Sequence, residues 1–305
     1  MPSHLKFLIA LFGFIFFCFQ TSKGQDYVDL FKINYAAIPS SSFENFDVDN
    51  DVFLINVSAT APIVINDKLA IITGADYIQN RLELFPNSGR INLNNINLKL
   101  GLNIKHTDKL SGTYVFLPRI SSQGLHTEGN HLFFGGAAVL NYQLSENFQW
   151  RFGAYASSEG FGAIATPIIG FYYKKDKLEI TANLPVNGDL NYTIGKDISI
   201  GGEFQTPVKT YSLRPQAGFD GTYVEVGNIE FGPYFEYRLL NKSILLRAQI
   251  GYNALSYELF SEGDELPFRF IAFEFGDDRT LLNADFNGNI FYKIGLTYRF
   301  HIEEE

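Results

Sequence analysis

Asp47, Asp49 and Asp51 alternate along one short stretch, and acidic oxygens at i, i+2 and i+4 can wrap a calcium ion. Val52 stands where such a loop turns on glycine, and no glutamate follows at the twelfth position. A second cluster joins His126, Glu128 and His131, two imidazoles and a carboxylate able to hold zinc and leave a position open for water. Its spacing matches no specific zinc signature. A charged, solvated loop is the plainer reading of both clusters, so these six residues stand as metal candidates and no cofactor is expected. Ser121 and Ser122 lie near the histidine pair, yet nothing marks either serine as activated. The chain is therefore expected not to be an enzyme.

A larger set of charges shares one phase of an alternating pattern. Lys99, Lys105, Arg151, Arg238, Arg247, Lys293 and Arg299 stand there with Asp76, Glu179, Glu203, Glu230 and Glu236. Seven cations against five anions give a mixed lining with no strong preference for ions of one sign. Such a lining is either a wet, weakly discriminating passage or a filling of charges that satisfy each other. The passage is the reading carried forward.

What positions these charges is a period of two. Ile96, Leu98, Leu100, Leu102 and Ile104 alternate with Asn97, Lys99, Gly101, Asn103 and Lys105. The same alternation runs through 243–254 and 290–300. One apolar and one polar face on a segment this long predicts a strand. Strands of about 10 to 12 residues, tilted near 40°, rise roughly 25–30 Å, the height of a membrane's apolar layer. The composition agrees, with 30 Phe, 17 Tyr and 27 Gly. Strands are expected near 29–36, 52–61, 68–78, 94–105, 109–118, 132–143, 148–157, 167–174, 177–184, 189–195, 198–206, 223–239, 243–254 and 289–301.

The connections sort into two kinds. Short polar turns such as Asn66-Asp67-Lys68, Thr107-Asp108-Lys109 and Leu240-Asn241-Lys242 alternate with longer loops at 37–50, 80–93, 119–131, 158–165, 207–221 and 255–287. Only the 185–188 connection breaks the rule, being short where a long one is due. Tyr142, Phe148, Trp150, Tyr298 and Phe300 gather on the apolar phase near the short turns, as rings at a headgroup level do. These features predict an all-β fold, a transmembrane up-and-down antiparallel β-barrel of about 14 strands, with 12 to 16 as the range. A soluble β-sandwich is the competing fold, and it seldom needs such regular strands with such asymmetric connections.

The first 24 residues read as a secretory signal peptide. Lys6 precedes an apolar run from Phe7 to Phe19, and Ser22 and Gly24 suit a cut before Gln25. Residues 25–305 then form the barrel domain. Losing Lys6 and Lys23 takes the formal charge from −9 to −11, a poor balance for binding nucleic acid. Cleavage also removes Cys18, the one cysteine, so no disulfide holds the remainder.

The hairpin series and the final strand from Gly288 to Ile302, with its Tyr298-Arg299-Phe300 end, resemble uncharacterised outer-membrane β-barrel families of Bacteroidota-type Gram-negative bacteria. The resemblance implies the bacterial outer membrane as location, with membrane lipid and the barrel-insertion machinery as partners. It supplies no substrate. The expected function is passive passage or uptake of small solutes. The alternative is a non-conducting surface protein using its outer loops for adhesion or recognition. The 255–287 segment combines Phe260, Phe268, Phe270, Phe273 and Phe275 with many acids. It is expected to fold as a hairpin or lid with its rings packed inward.

Overall fold

Alternating segments satisfy both faces only where one meets lipid or core and the other meets water or polar partners. The computed structural model of the chain describes residues 27–43, 46, 48–125, 131–214, 221–270 and 273–302, so the expected signal peptide lies outside it. The alternation becomes strands: β1 Tyr27–Phe43, β2 Asp49–Asn66, β3 Leu69–Leu82, β4 Ile91–Lys105, β5 Leu110–Gln123 and β6 Leu132–Ser145. β7 Phe148–Glu159, β8 Gly162–Lys175, β9 Leu178–Leu184, β10 Asn187–Thr193, β11 Ile198–Gln205 and β12 Val208–Ser212 follow. The last are β13 Thr222–Leu239, β14 Ile244–Ser261, β15 Leu266–Phe270, β16 Phe273–Phe275, β17 Phe286–Asn287 and β18 Asn289–His301.

Fourteen of these close a barrel. Antiparallel pairing runs in chain order from β1 to β11, then from β11 to β13, β14 and β18. β18 returns to β1 between Tyr27↔His301 and Ala37↔Tyr292, so the seam leaves no open edge. Every one of the fourteen expected strands is present. Leu98, Leu100, Leu246, Ile250, Ile290 and Tyr292 stand exposed on the outside, as the apolar belt of a barrel in lipid requires. Near the end that carries the short turns, Phe148 stacks on Phe171 at 5.6 Å and meets Trp150 edge-on at 5.0 Å, part of an aromatic girdle. That end, where Tyr27 and His301 also lie, is the periplasmic one.

Toward the other end the pattern inverts. On β14, Leu246, Ile250 and Tyr252 face out, whereas Leu255, Tyr257 and Leu259 are buried inside. Ile38, Val52, Leu82, Leu93, Val224, Val226 and Phe291 join them around Tyr211 in one apolar core that fills the outer end of the lumen. Fully burying each such side chain contributes about 1.5–3 kcal/mol, enough to hold the wall together above the lipid. Several expected loops are therefore strand. β1 runs to Phe43, β5 to Gln123 and β14 to Ser261, and the expected 158–165 loop is a turn at Gly160 and Phe161.

One part of the wall is low. β9 and β10 have seven residues each, and pairing between β8 and β9 stops at Ile169↔Leu184 while β8 continues to Gly162. Above that level β12 extends the line of β11 along β13, from Val208↔Gly227 to Ser212↔Tyr223. It leans inward far enough for Ser212 to pair with Ser122 of β5. The free edge of β8 is taken instead by β15, which pairs with it in parallel from Leu266↔Gly162 to Phe270↔Ala165.

Candidate functional site

Inward residues of β1, β9, β10, β11, β13, β14 and β18 bring the charged phase together in the periplasmic half, around a cavity of about 340 Å³. Glu179, Glu203, Glu236, Arg238, Arg247, Lys293 and Arg299 all line it. Arg247 is the hub: its guanidinium lies 2.7 Å from Asp189, 2.9 Å from Glu203 and 2.8 Å from Glu236, and 3.7 Å over the Tyr234 ring. Arg238 joins Glu236 at 3.1 Å and donates to Asn191 at 2.9 Å. Lys293 pairs with Glu230 and lies 3.8 Å from Glu203. Arg299 pairs with Asp29 at 2.6 Å and covers the Tyr27 ring at 3.4 Å. Tyr27 in turn donates to Glu179 at 2.5 Å.

The other charges on this phase sit apart from that cavity. Lys99 pairs with Asp76 at 2.6 Å and donates to Ser58 and Thr60 on the β2–β4 side. Arg151 lies over Tyr172 and donates to Asn183 at 3.5 Å. Lys105 reaches Asp108 in an exposed turn at the periplasmic rim. Charges of both signs meet throughout, so the interior offers no field of a single sign. Asp29, Lys32 and Asp189 also line the cavity without having been anticipated. Asp29 opens a strand, and Asp189 lies in the short β10, where alternation is too brief to assign a face.

Of the six metal candidates, Asp49, Asp51 and His131 lie among the described residues. Asp51 pairs with Arg90 at 3.2 Å and accepts from the Ser40 amide at 3.2 Å, and Asp49 begins β2 opposite Ser42. Asp47, His126 and Glu128 lie outside the described residues. Among the described residues no group of three His, Cys, Asp or Glu side chains is arranged to hold a metal ion, and the His131 carbonyl accepts from the Ser121 amide at 2.9 Å. Ser121 is buried with its hydroxyl donating to the Thr210 carbonyl at 2.6 Å.

The inturned β12 builds a second region. Glu159 is buried, pairs with Arg119, and accepts from both the amide (3.0 Å) and the hydroxyl (2.9 Å) of Thr210. Behind it lie a cavity of about 100 Å³, which shares Asn34, Gln205 and Lys293 with the first, and one of about 580 Å³, which shares Pro207, Lys209 and Asn228 with the second. The three therefore adjoin. β15 and β16 form the expected hairpin in the last long segment, but its rings do not pack inward. Phe260 is buried, whereas Phe268, Phe270, Phe273 and Phe275 are 39–65% exposed. The reason is pairing: β15 continues the wall beside β8, so its Phe268 and Phe270 take the outward phase and Arg269 the inward one.

Residues 33–299 match a single protein-family model. The chain belongs to the DUF6268 family, a domain of unknown function. No curated protein matches it. Among solved structures, this DUF6268 barrel is similar to a FadL homologue of Pseudomonas aeruginosa, at 9% identity over 90% of each chain and a TM-score of 0.47. It is also similar to an outer membrane channel from Pseudomonas putida F1, at 10% identity over 93% of this chain and 100% of that one, TM-score 0.39. The NanC porin gives 10% identity over 87% and 98%, with a TM-score of 0.37. Similarity at this level says nothing about what the DUF6268 barrel carries. Its location follows from its own build: a closed antiparallel barrel with an apolar belt and girdle belongs in the bacterial outer membrane.

Proposed function

We propose that this barrel carries small solutes passively across the outer membrane through its interior. The observation that supports the reading is the run of three adjoining cavities, of about 340, 100 and 580 Å³, leading from the periplasmic half to the low part of the wall. Their paired charges suit weak discrimination between ions rather than a filter of one sign. The surrounding partners are membrane lipid and, during assembly, the barrel-insertion machinery. Planar-bilayer conductance and swelling of vesicles in solutes of graded size and polarity test the reading. Expected are measurable flux and little preference between cations and anions. Absence of flux for every solute, in protein shown to be folded, overturns it.

A second reading has its own observation. The apolar core around Tyr211 closes the outer end of the lumen, as suits a non-conducting barrel that displays its outer segments for adhesion. In that case conductance stays near zero, and deletion of residues 262–280 abolishes binding to surfaces.

A further inference from the structure

We propose that the route is lateral: an amphiphile with an anionic head and an apolar tail passes between the outer leaflet and the interior through the gap between β8 and β13, its head meeting Lys209. The proposal rests on the passage reading above and names the solute class and the door.

The gap is set by strand length. β9 and β10 stop at the level of Ile169, and the β12 segment that would fill the wall turns inward instead. The cavity of about 580 Å³ at this place touches both faces of the wall. Asn97 and Tyr155 belong to the inner face, whereas Ile229, 53% exposed, and Ala254 belong to the outer one. A space lined from both sides passes through the wall. Its volume is that of a site for a mid-sized ligand, roughly 300–1,000 Å³. Pro185, Val186, Ile164 and Ile168 give much of its rim an apolar character.

Lys209 supplies the polar end. It lines both this cavity and the smaller one beneath, and it makes no hydrogen bond or ion pair with the described residues. The two arginines of the same cavity are ion-paired, Arg119 with Glu159 and Arg269 with Glu225 and Glu274. Lys209 is half-buried, and an ammonium that faces these cavities with no carboxylate in hydrogen-bond reach is placed to pair with the carboxylate or phosphate head of an entering molecule.

The β15–β16 hairpin takes the upper part of the gap, where β15 continues the wall beside β8, and leaves the stretch between Ala165 and Ile169 uncovered by a paired strand. Phe270 pairs beside Ala165, six residues up β8 from the girdle residue Phe171. On a strand tilted about 40° that is roughly 15 Å, still within the apolar band of about 25 Å. Its four exposed rings thus meet lipid, while Arg269 and Arg279 tie the hairpin to Glu225 on β13. With the axial end closed by the core, lipid is the open side.

The test uses the full chain refolded in vesicles, with dodecanoate and dodecanol as probes. Lys209→Gln is expected to weaken dodecanoate binding about tenfold or more, the size of one lost charge-assisted hydrogen bond, and to leave dodecanol nearly unchanged. Lys209→Arg, which keeps the charge, retains binding. In a Trp150→Phe background, Phe270→Trp gives a single reporter whose fluorescence lipids brominated along the acyl chain should quench. Equal dodecanoate binding by wild type and Lys209→Gln, or an unquenched reporter, overturns the proposal. Flux of hydrophilic solutes with either of those results leaves passage standing and the lateral door refuted. Quenching and Lys209-dependent binding without flux of any solute leaves the door standing and refutes passage.

Discussion

The Asn80 side-chain amide donates a 3.1 Å hydrogen bond to the Tyr211 hydroxyl, joining β3 to the inturned β12 inside the barrel. Both residues are buried, and the Tyr211 ring sits in the core that closes the outer end of the lumen. Tyr211→Ala should cost about 3–5 kcal/mol, as large-to-small changes of buried aromatics do, and should raise single-channel conductance. Tyr211→Phe keeps the ring but leaves Asn80 without its partner, at about 1–3 kcal/mol with conductance unchanged. Urea unfolding in vesicles and bilayer recordings read both quantities. Equal conductance in wild type and Tyr211→Ala would mean that the core is not the barrier.

Arg247 faces three carboxylates at once, Asp189, Glu203 and Glu236. Arg247→Met leaves that cluster short of a cation and should destabilise the barrel by about 1.5–3 kcal/mol, as losing a hydrogen bond between charged groups does. The uncovered carboxylates should also shift the reversal potential in a salt gradient toward cation preference. A variant with unchanged stability and selectivity would show that the hub is neither structural nor on the route.

Arg279 fastens the last long segment, pairing with Glu225 and Asp277 at 2.9 Å each and covering the Phe260 ring at 4.1 Å. Its hydrogen bonds hold the Asp277 carboxyl well below the usual carboxylate range. A carboxyl lowered in the folded state stabilises fully above its unfolded pKa and loses that contribution progressively as pH falls from there through the folded value. The attachment should therefore survive at a pH of about 4, near the ordinary aspartate pKa. Protease cutting within 276–285 should be slow at neutral pH and at that acid pH in the wild type, and fast at both in Arg279→Gln. Wild-type cutting that accelerates already on mild acidification would contradict it.

The barrel itself was written in the sequence because lipid on one side and polar groups on the other force a period of two, unbroken from Ile96 to Lys105 and from Ile290 to Phe300. The same rule placed Glu179, Glu203, Arg247 and Lys293 on the inner face before any partner was known. It failed where the surroundings change along one strand. Beyond Ala254 on β14 the apolar phase moves from outside to inside, because the wall leaves lipid and encloses a core, so a continuing strand read as a loop. Tertiary structure alone decided three further matters. The inward lean of β12 put Tyr211 and Lys209 in the interior, the parallel pairing of β15 with β8 turned Phe268 and Phe270 toward the membrane, and the brevity of β9 and β10 lowered the wall between β8 and β13. Each depends on which strand lies beside which, a long-range pairing that no local periodicity encodes.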